Sequence, residues 1–513
     1  MKWVPRACGP WWGAGAKPLL GSGATPRLLP ATLVLFVMGC TVGPDYQRPD
    51  APASPPFKEL QGWKPSQPQD EADKGAWWAV YHDPELDRLE RMVEISNQTV
   101  KEYEAQYRNA VALVAEARAS LFPTVGLTAG VTRAGGGGSV RGSSGLTSIQ
   151  SAGSSRAGTE YSVNGTVSWD LDVWGKVRRQ VESNLAGAQV SAADLANAKL
   201  SAQATLATDY FDLRAEDALA HLLRETTEAY RRSLQITENQ YNAGVASSAD
   251  VVTARAQLQS TEAQLVGVGV QRQQFEHAIA MLTGHAPAEL TIAPAALASD
   301  VPVVPPGLPS SLLERRPDIA AAERQMQAEN ALIGVQVAAF YPDISLSAAG
   351  GFVGNPLSQL FTVGNRVWSL GASASETLFS AGARSAAVAA ARASYDQSVA
   401  TYRQTVLTGF QQVEDALSDL RILEQQAAAQ AIAVDSARRA VEVTLNAYRA
   451  GTVAYTSVIT QQTLLLSDQQ AALAVQQSRL VASVALIEAL GGGWSTAALP
   501  DRDAVVKGQP WLP

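Results

Sequence analysis

Two tracts of 67 residues, 175–241 and 382–448, each begin at a glycine, end at a tyrosine and contain no proline. Proline is in fact absent from 124–286 and again from 357–499. Proline removes a backbone donor and clashes with the preceding helical turn, so tracts without it are free to form one helix apiece. At 1.5 Å per residue each helix would reach about 100 Å, far longer than a globular domain needs. Along the first tract Val177, Val181, Leu185, Leu195, Leu206, Phe211 and Leu213 are spread among alanine and glutamine. That stripe suits coiled-coil neighbours with small contacts on a second face.

The tracts belong to a tandem duplication. Tyr241-Asn242-Ala243-Gly244 recurs 207 positions later as Tyr448-Arg449-Ala450-Gly451. The same spacing links Gly175 to Gly382, and Leu282-Thr283-Gly284 to Ala489-Leu490-Gly491. Leu121-Phe122-Pro123 is echoed by Phe340-Tyr341-Pro342 at a spacing of 219. Shared spacing of this kind marks structural repeats, here 84–284 and 317–491, with a linker at 285–316 and a tail at 492–513. Each repeat follows one plan. A helix of moderate length stops at the aromatic-Pro signal, because the residue before proline is pushed out of helical geometry. Two alternating segments flank a loop, and a long helix then runs to the Tyr-x-Ala-Gly turn, followed by a shorter return helix.

The alternating segments predict strands, and hairpins at 124–172 and 344–378. In 124–132, Val125, Leu127, Ala129 and Val131 alternate with Thr124, Gly126, Thr128, Gly130 and Thr132. In 161–172, Tyr161, Val163, Gly165, Val167, Trp169 and Leu171 alternate with Ser162, Asn164, Thr166, Ser168, Asp170 and Asp172. The second repeat sets Ile344, Leu346 and Ala348 against Ser345 and Ser347, and Trp368, Leu370 and Ala372 against Ser369, Gly371 and Ser373. Period-2 patterning puts one set on each face of a strand, and segments of about ten residues with one apolar and one polar face fit a barrel with lipid outside and water inside. The loop 133–160 is mostly Gly, Ser, Ala and Arg and reads as a mobile external loop; its counterpart 353–366 is shorter.

Four strands cannot close a barrel, and an open edge is not tolerated in lipid. The chain must oligomerise, as a dimer with eight strands or a trimer with twelve. Eight strands would be filled by their own side chains. The small and polar residues Gly126, Gly130, Gly371 and Ser373 favour the more open trimer.

The two cysteines are Cys8 and Cys40. An apolar run at 28–38 follows Lys2, Arg6, Lys17 and Arg27; it is too short to span a bilayer and reads as part of a signal peptide, 1–39. The stretch before Leu28 is long for such a leader and points to a translation start further in. Val37-Met38-Gly39-Cys40 resembles a bacterial lipobox, which would make Cys40 the acylated mature N-terminus, and more than one acyl chain gives stable anchoring. Thr41 in place of aspartate favours the outer membrane. Loss of Cys8 with the leader leaves no thiol for a disulfide, metal or nucleophile. A formal charge of −8 with 17% charged residues excludes the basic footprint of a nucleic-acid partner. No apolar run reaches the length of a spanning helix. His82, His221, His277 and His285 form no ligand-spaced cluster, and 131–138 lacks the Lys-Ser/Thr of a phosphate loop. No catalytic, cofactor or metal site is expected, and the chain is not read as an enzyme.

These features, with Cys40-Thr41-Val42-Gly43-Pro44-Asp45-Tyr46, Asp83-Pro84-Glu85-Leu86-Asp87, Arg315-Arg316-Pro317-Asp318-Ile319, Ala322-Glu323, Tyr341-Pro342, both Tyr-x-Ala-Gly turns and Leu490-Gly491-Gly492-Gly493-Trp494, resemble the outer-membrane factor family of efflux lipoproteins, the TolC/OprM-like, NodT-type proteins. The resemblance spans nearly the whole mature chain. It implies an α+β membrane fold: a trimeric 12-stranded transmembrane β-barrel, four strands per chain, joined to a long periplasmic α-helical barrel with a small equatorial domain. The equatorial domain would take 40–83, 285–316 and 492–513. The resemblance implies a passive duct in the cell outer membrane, lipid-anchored and reaching into the periplasm. Its partners would be a periplasmic adaptor (membrane fusion) protein and an inner-membrane transporter of RND type. In that family the hairpin tips close the periplasmic end; here they fall at 241–250 and 448–460. Asp250 matches an acidic family position. Ser457 and Thr460 stand where family members often carry aspartate, so the aperture here is expected to rest on Tyr448, Tyr455 and hydroxyls. The competing reading is a structural periplasmic coiled-coil lipoprotein that does not conduct. Arg316-Pro317-Asp318 is expected only to start a helix, with proline at its first position and an acid in its first turn.

Overall fold

The computed structural model describes residues 41–52, 57, 76–134, 158–302 and 312–507. The signal peptide, Cys8, Cys40, the middle of the loop 133–160 and the linker residues 303–311 lie outside the described residues.

The first repeat opens with two helices, α1 (Pro84–Ser96) and α2 (Gln98–Ala119), where the sequence pattern suggested one. The break is Asn97. Its side chain accepts from Val100 N at 3.0 Å, capping α2, and donates from Nδ2 to Leu282 O at 2.8 Å. Asparagine competes readily with helical backbone bonds, and here its second partner lies 185 residues away. Asp83 caps α1 through Glu85 N and Leu86 N, and its other oxygen accepts from the Tyr210 hydroxyl at 2.6 Å.

Strands β1 (Thr124–Ala134), β2 (Gly158–Leu171), β3 (Asp343–Gly354) and β4 (Arg366–Ser375) form one antiparallel sheet in that order. The long helices are α3 (Lys176–Asn242) and α7 (Ala383–Arg449), 67 residues each. Their return partners are α4 (Ser248–Leu282) and α8 (Tyr455–Ala489), 35 residues each. A single turn, α5 (Leu312–Arg315), precedes α6 (Pro317–Ala338), and α9 (Arg502–Lys507) follows α8. Two expectations are corrected at the strand ends. Asp172 is not a strand residue: its carboxylate accepts from Val177 N and Arg178 N, both at 2.9 Å, and anchors the start of α3. Strand β4 stops at Ser375, and Glu376 pairs with Arg384 of α7 instead of extending the strand. The loop after β3 also carries helical turns at Leu357–Gln359 and Val363–Asn365.

The duplicated glycines mark helix ends. Gly175 and Gly382 cap α3 and α7 at φ 81° and 86°, a region that L side chains resist. The turns after α3, α4, α7 and α8 repeat one closure. Val245 N bonds Gln240 O, His285 N bonds Ala280 O, Thr452 N bonds Ala447 O and Gly492 N bonds Ile487 O, at 2.9–3.0 Å. Each is the six-to-one bond of a Schellman motif, with a glycine in left-handed conformation satisfying carbonyls at the helix end.

At mid-height the largest core joins Trp77, Leu86 and Leu89 to Leu206, Tyr210 and Phe211 of α3, Ile279 of α4 and Leu480 of α8. A buried ion network fastens residues 292–295 to it. Arg272 binds both Asp217 and Glu276, and donates to Ile292 O at 2.6 Å; Arg214 binds Asp217 and donates to Ala293 O at 2.7 Å. No helix among the described residues is long and apolar enough to cross a membrane.

Candidate functional site

Three regions carry the chemistry a conduit would need. The first is the sheet. Its register places Val125 opposite Val167, Val167 opposite Ala348 and Ala348 opposite Leu370. Directly paired residues share a face, so the apolar sets of all four strands fall on one side. Val125, Leu127, Trp368 and Leu370 are each more than two-thirds exposed there. The other side carries Thr124, Ser168, Ser347 and Gly371 in register, with Glu160, Asp170 and Asp343 as its only charged residues among those described. It is close-fitting: a Cβ on Gly371 would stand 2.8 Å from Ser347 Oγ, and one on Gly126 3.1 Å from Thr166 Oγ1. Strands β1 and β4 are the free edges.

The second region is the junction between sheet and helices. Trp169 Nε1 donates to Leu121 O at 3.0 Å, and Trp174 Nε1 to Pro342 O at 2.9 Å with its ring stacked on Tyr341. The N-terminal segment is strapped here. Val42 N bonds Trp174 O at 3.1 Å, Asn330 Nδ2 bonds Pro44 O, and Arg179, itself buried, holds Asp45 at 2.7 Å. Thr41 packs so closely on Gly175 that a Cβ there would meet it at 2.9 Å. The strap therefore delivers Thr41, the residue after Cys40, to the level where the strands end.

The third region is the pair of hairpin tips. Ser247 and Asp250 form a reciprocal capping box at the start of α4, the Ser247 amide to Asp250 Oδ2 at 3.0 Å and the Asp250 amide to Ser247 Oγ at 3.2 Å. Ala454, at the equivalent place before α8, offers no side-chain cap. Tyr448 and Tyr455 are buried together, ring centroids 5.1 Å apart, with Val458 of α8 and Ala254 of α4. Burial pushes the Tyr455 hydroxyl up to about 12, a rise that Thr237 beside it only partly offsets; Tyr448 is raised for the same reason. Above them a polar seam joins the hairpins, with Gln462 Nε2 donating to Ser233 Oγ at 3.0 Å and the Tyr230 hydroxyl to Gln462 O at 3.3 Å. Ser457 and Thr460 are exposed, the latter donating to Thr456 O. Of the residues singled out at the tips, the structure brings Tyr448 and Tyr455 into contact and leaves Ser457 and Thr460 on the surface. The seam was not foreseen, since its members lie on helices more than 200 residues apart in sequence and no local spacing marks them.

Arg316, expected only to precede a helix start, does more. It forks onto Asp318 and donates to Ala489 O at 2.9 Å, tying α6 to the end of α8. Among the described residues no group of three or more His, Cys, Asp or Glu side chains is placed to hold a metal ion.

The sequence model of the family "Outer membrane efflux protein" matches residues 91–285 and 308–492. The toluene efflux pump outer membrane protein TtgC of Pseudomonas putida is 32% identical over 489 residues, covering 92% of this chain and 96% of that protein. The "probable outer membrane lipoprotein SilC" of Salmonella typhimurium is 28% identical over 473 residues, covering 91% and 99%. Among solved structures, the outer-membrane channel OprN superimposes with a TM-score of 0.80 at 30% identity, covering 89% of this chain and all of that one.

Proposed function

Because this chain belongs to the outer membrane efflux protein family, we propose that it is the outer-membrane channel of a tripartite efflux or export system, a passive duct without a catalytic step. One observation carries the reading: the register sorts four amphipathic strands into one largely apolar face and one hydroxyl-, glycine- and acid-lined face, with neither outer edge paired among the described residues. Such a sheet is stable in lipid only when its edges are closed by other copies. Three copies give twelve strands, wide enough for an aqueous lumen. The long helices then continue the lumen into the periplasm as a helical barrel.

The N-terminal strap supports lipidation at Cys40, since it brings the chain to the foot of the barrel, where an acyl anchor can enter the inner surface of the outer membrane. The periplasmic aperture lies at the hairpin tips, with Tyr448 and Tyr455 bracing the helices and Asp250, Ser457 and Thr460 lining the approach. The tips also present the surface for a periplasmic adaptor protein, through which an inner-membrane transporter of RND type delivers cargo and imposes direction. Lumen walls of Ser, Thr and Gly suit many solutes, so cargo choice falls to that transporter.

Recording from the purified full-length protein in planar membranes tests the duct. Discrete, cation-preferring channels are expected, because the charged residues of the sheet's lumen face among those described are the acids Glu160, Asp170 and Asp343, the last of them paired with Lys176 at 3.8 Å. A water-soluble, monomeric and electrically silent preparation would refute the reading.

A further inference from the structure

The two faces of the sheet differ in the sign of their charges as well as in polarity. Among the described strand residues the charges on the lumen side are the acids Glu160, Asp170 and Asp343. The apolar side carries only Arg133 and Arg366 among the described residues. Arg133 pairs with Thr159, in the same set as Val131 and Tyr161; Arg366 pairs with Phe352, in the same set as Trp368 and Leu370. Both stand at the end of the sheet furthest from the helices, both are exposed, and neither side chain makes an ion pair or hydrogen bond among the described residues. Glu160, the acid nearest in sequence to that rim, sits opposite Thr132 on the lumen side. A guanidinium next to a lipid-facing surface is costly unless an anion meets it.

Aromatic rings mark this level as a membrane boundary. Tyr161 lies diagonally across from Arg133, Phe352 lies directly across from Arg366, and Phe361 packs edge-on against Phe352 at 5.4 Å. Trp368, 73% exposed, is the next residue of β4 on that face. Aromatic girdles sit at headgroup level in outer-membrane barrels. Closure completes the arrangement. Three copies can join only head to tail, so β4 of one copy lies beside β1 of the next, and the seam is flanked by Arg366 from one strand and Arg133 from the other.

We propose that Arg133 and Arg366 bind the phosphate groups of the phosphorylated glycolipid of the outer leaflet, at the outer rim of each subunit seam. The proposal rests on the barrel reading. The helices and the N-terminal strap occupy the opposite end of the sheet, so this rim meets the outer leaflet. Arginine forks onto phosphate oxygens through two parallel hydrogen bonds, and two arginines on neighbouring strands suit a headgroup bearing more than one phosphate.

The test uses the full-length trimer in detergent and counts bound lipid by native mass spectrometry, titrating bis-phosphorylated lipid A, the same lipid after phosphatase treatment, and phosphatidylglycerol. Wild type should bind bis-phosphorylated lipid A at least about tenfold more tightly than an R133Q/R366Q variant, and R133K/R366K should fall between them. Phosphatase-treated lipid should be held equally weakly by wild type and the glutamine variant. Equal binding of lipid A to wild type and the glutamine variant, or competition by phosphatidylglycerol as effective as that of lipid A, overturns the proposal. The same preparations are recorded in planar membranes. Channels without phosphate preference defeat this site and leave the duct standing, whereas a silent protein defeats the duct and the site together.

Discussion

The two hairpin tips descend from one duplicated sequence and are held by different physics. At the first, Ser247 and Asp250 close a capping box, and Arg231–Glu262 and Arg255–Glu238 ion pairs lace α3 to α4. Tyr241 is 48% exposed. At the second, the positions 207 residues on are Ala454 and Ser457, which make no box, and the matching Tyr448 is only 6% exposed. Its ring and that of Tyr455, which stands where the first repeat has Ser248, are buried against α3 and α4. The first tip is therefore locally self-sufficient, while the second depends on packing against the first. A duplicated gene segment has kept its turn and exchanged what stabilises it.

The strongest way to break this comparison is Tyr455→Ala. Emptying an aromatic site that is 3% exposed should cost about 3 kcal/mol locally. Amide exchange should accelerate across 448–460, with little change at 245–252, and single-channel conductance in planar membranes should rise. Equal loosening of both tips would show that they are one unit. Unchanged conductance would remove Tyr455 from the aperture.

Alkaline pH should separate the tips next. The Tyr455 hydroxyl is raised from 10 to about 12 by burial, so the folded tip favours the neutral phenol. That contribution is complete below pH 10 and is lost as pH rises from there through about 12. Exchange at the second tip should quicken in that window, and Tyr455→Phe should reduce the dependence to the part contributed by Tyr448, which burial also raises. An unaltered pH profile in the phenylalanine variant would assign it elsewhere.

Moving the first tip's device to the second sharpens the contrast. Ala454→Ser combined with Ser457→Asp should supply a capping box worth about 1 kcal/mol and slow exchange at 454–460. The reverse change, Ser247→Ala, should weaken the first tip by a similar amount, read as faster exchange at 247–252. The smallest effect is expected from Arg255→Gln. Exposed ion pairs contribute little and are screened by salt, so its influence on exchange should vanish at high ionic strength.

Much of the fold could be read from local pattern. The start of β1 at Thr124 and both 67-residue helices follow from alternation and from missing proline. What escaped had its cause far away in sequence. Asn97 breaks a helix that propensity alone would continue, because Leu282 supplies a carbonyl for it. Asp172 fits the polar set of a strand and is nevertheless claimed by the amides that open α3. Likewise Gln462 and Ser233 meet only once two hairpins have packed.

The sequence by itself determined the repeats, the periodicities and the turn points, since each of these depends on contacts within a few residues. Only the tertiary structure decided that four separate amphipathic strands share one register, with every apolar set on the same side. It also decided that of two tyrosines in one repeated motif Tyr448 is buried and Tyr241 is not. A local pattern fixes which faces an element has, whereas the partner that each face meets depends on how distant segments pack.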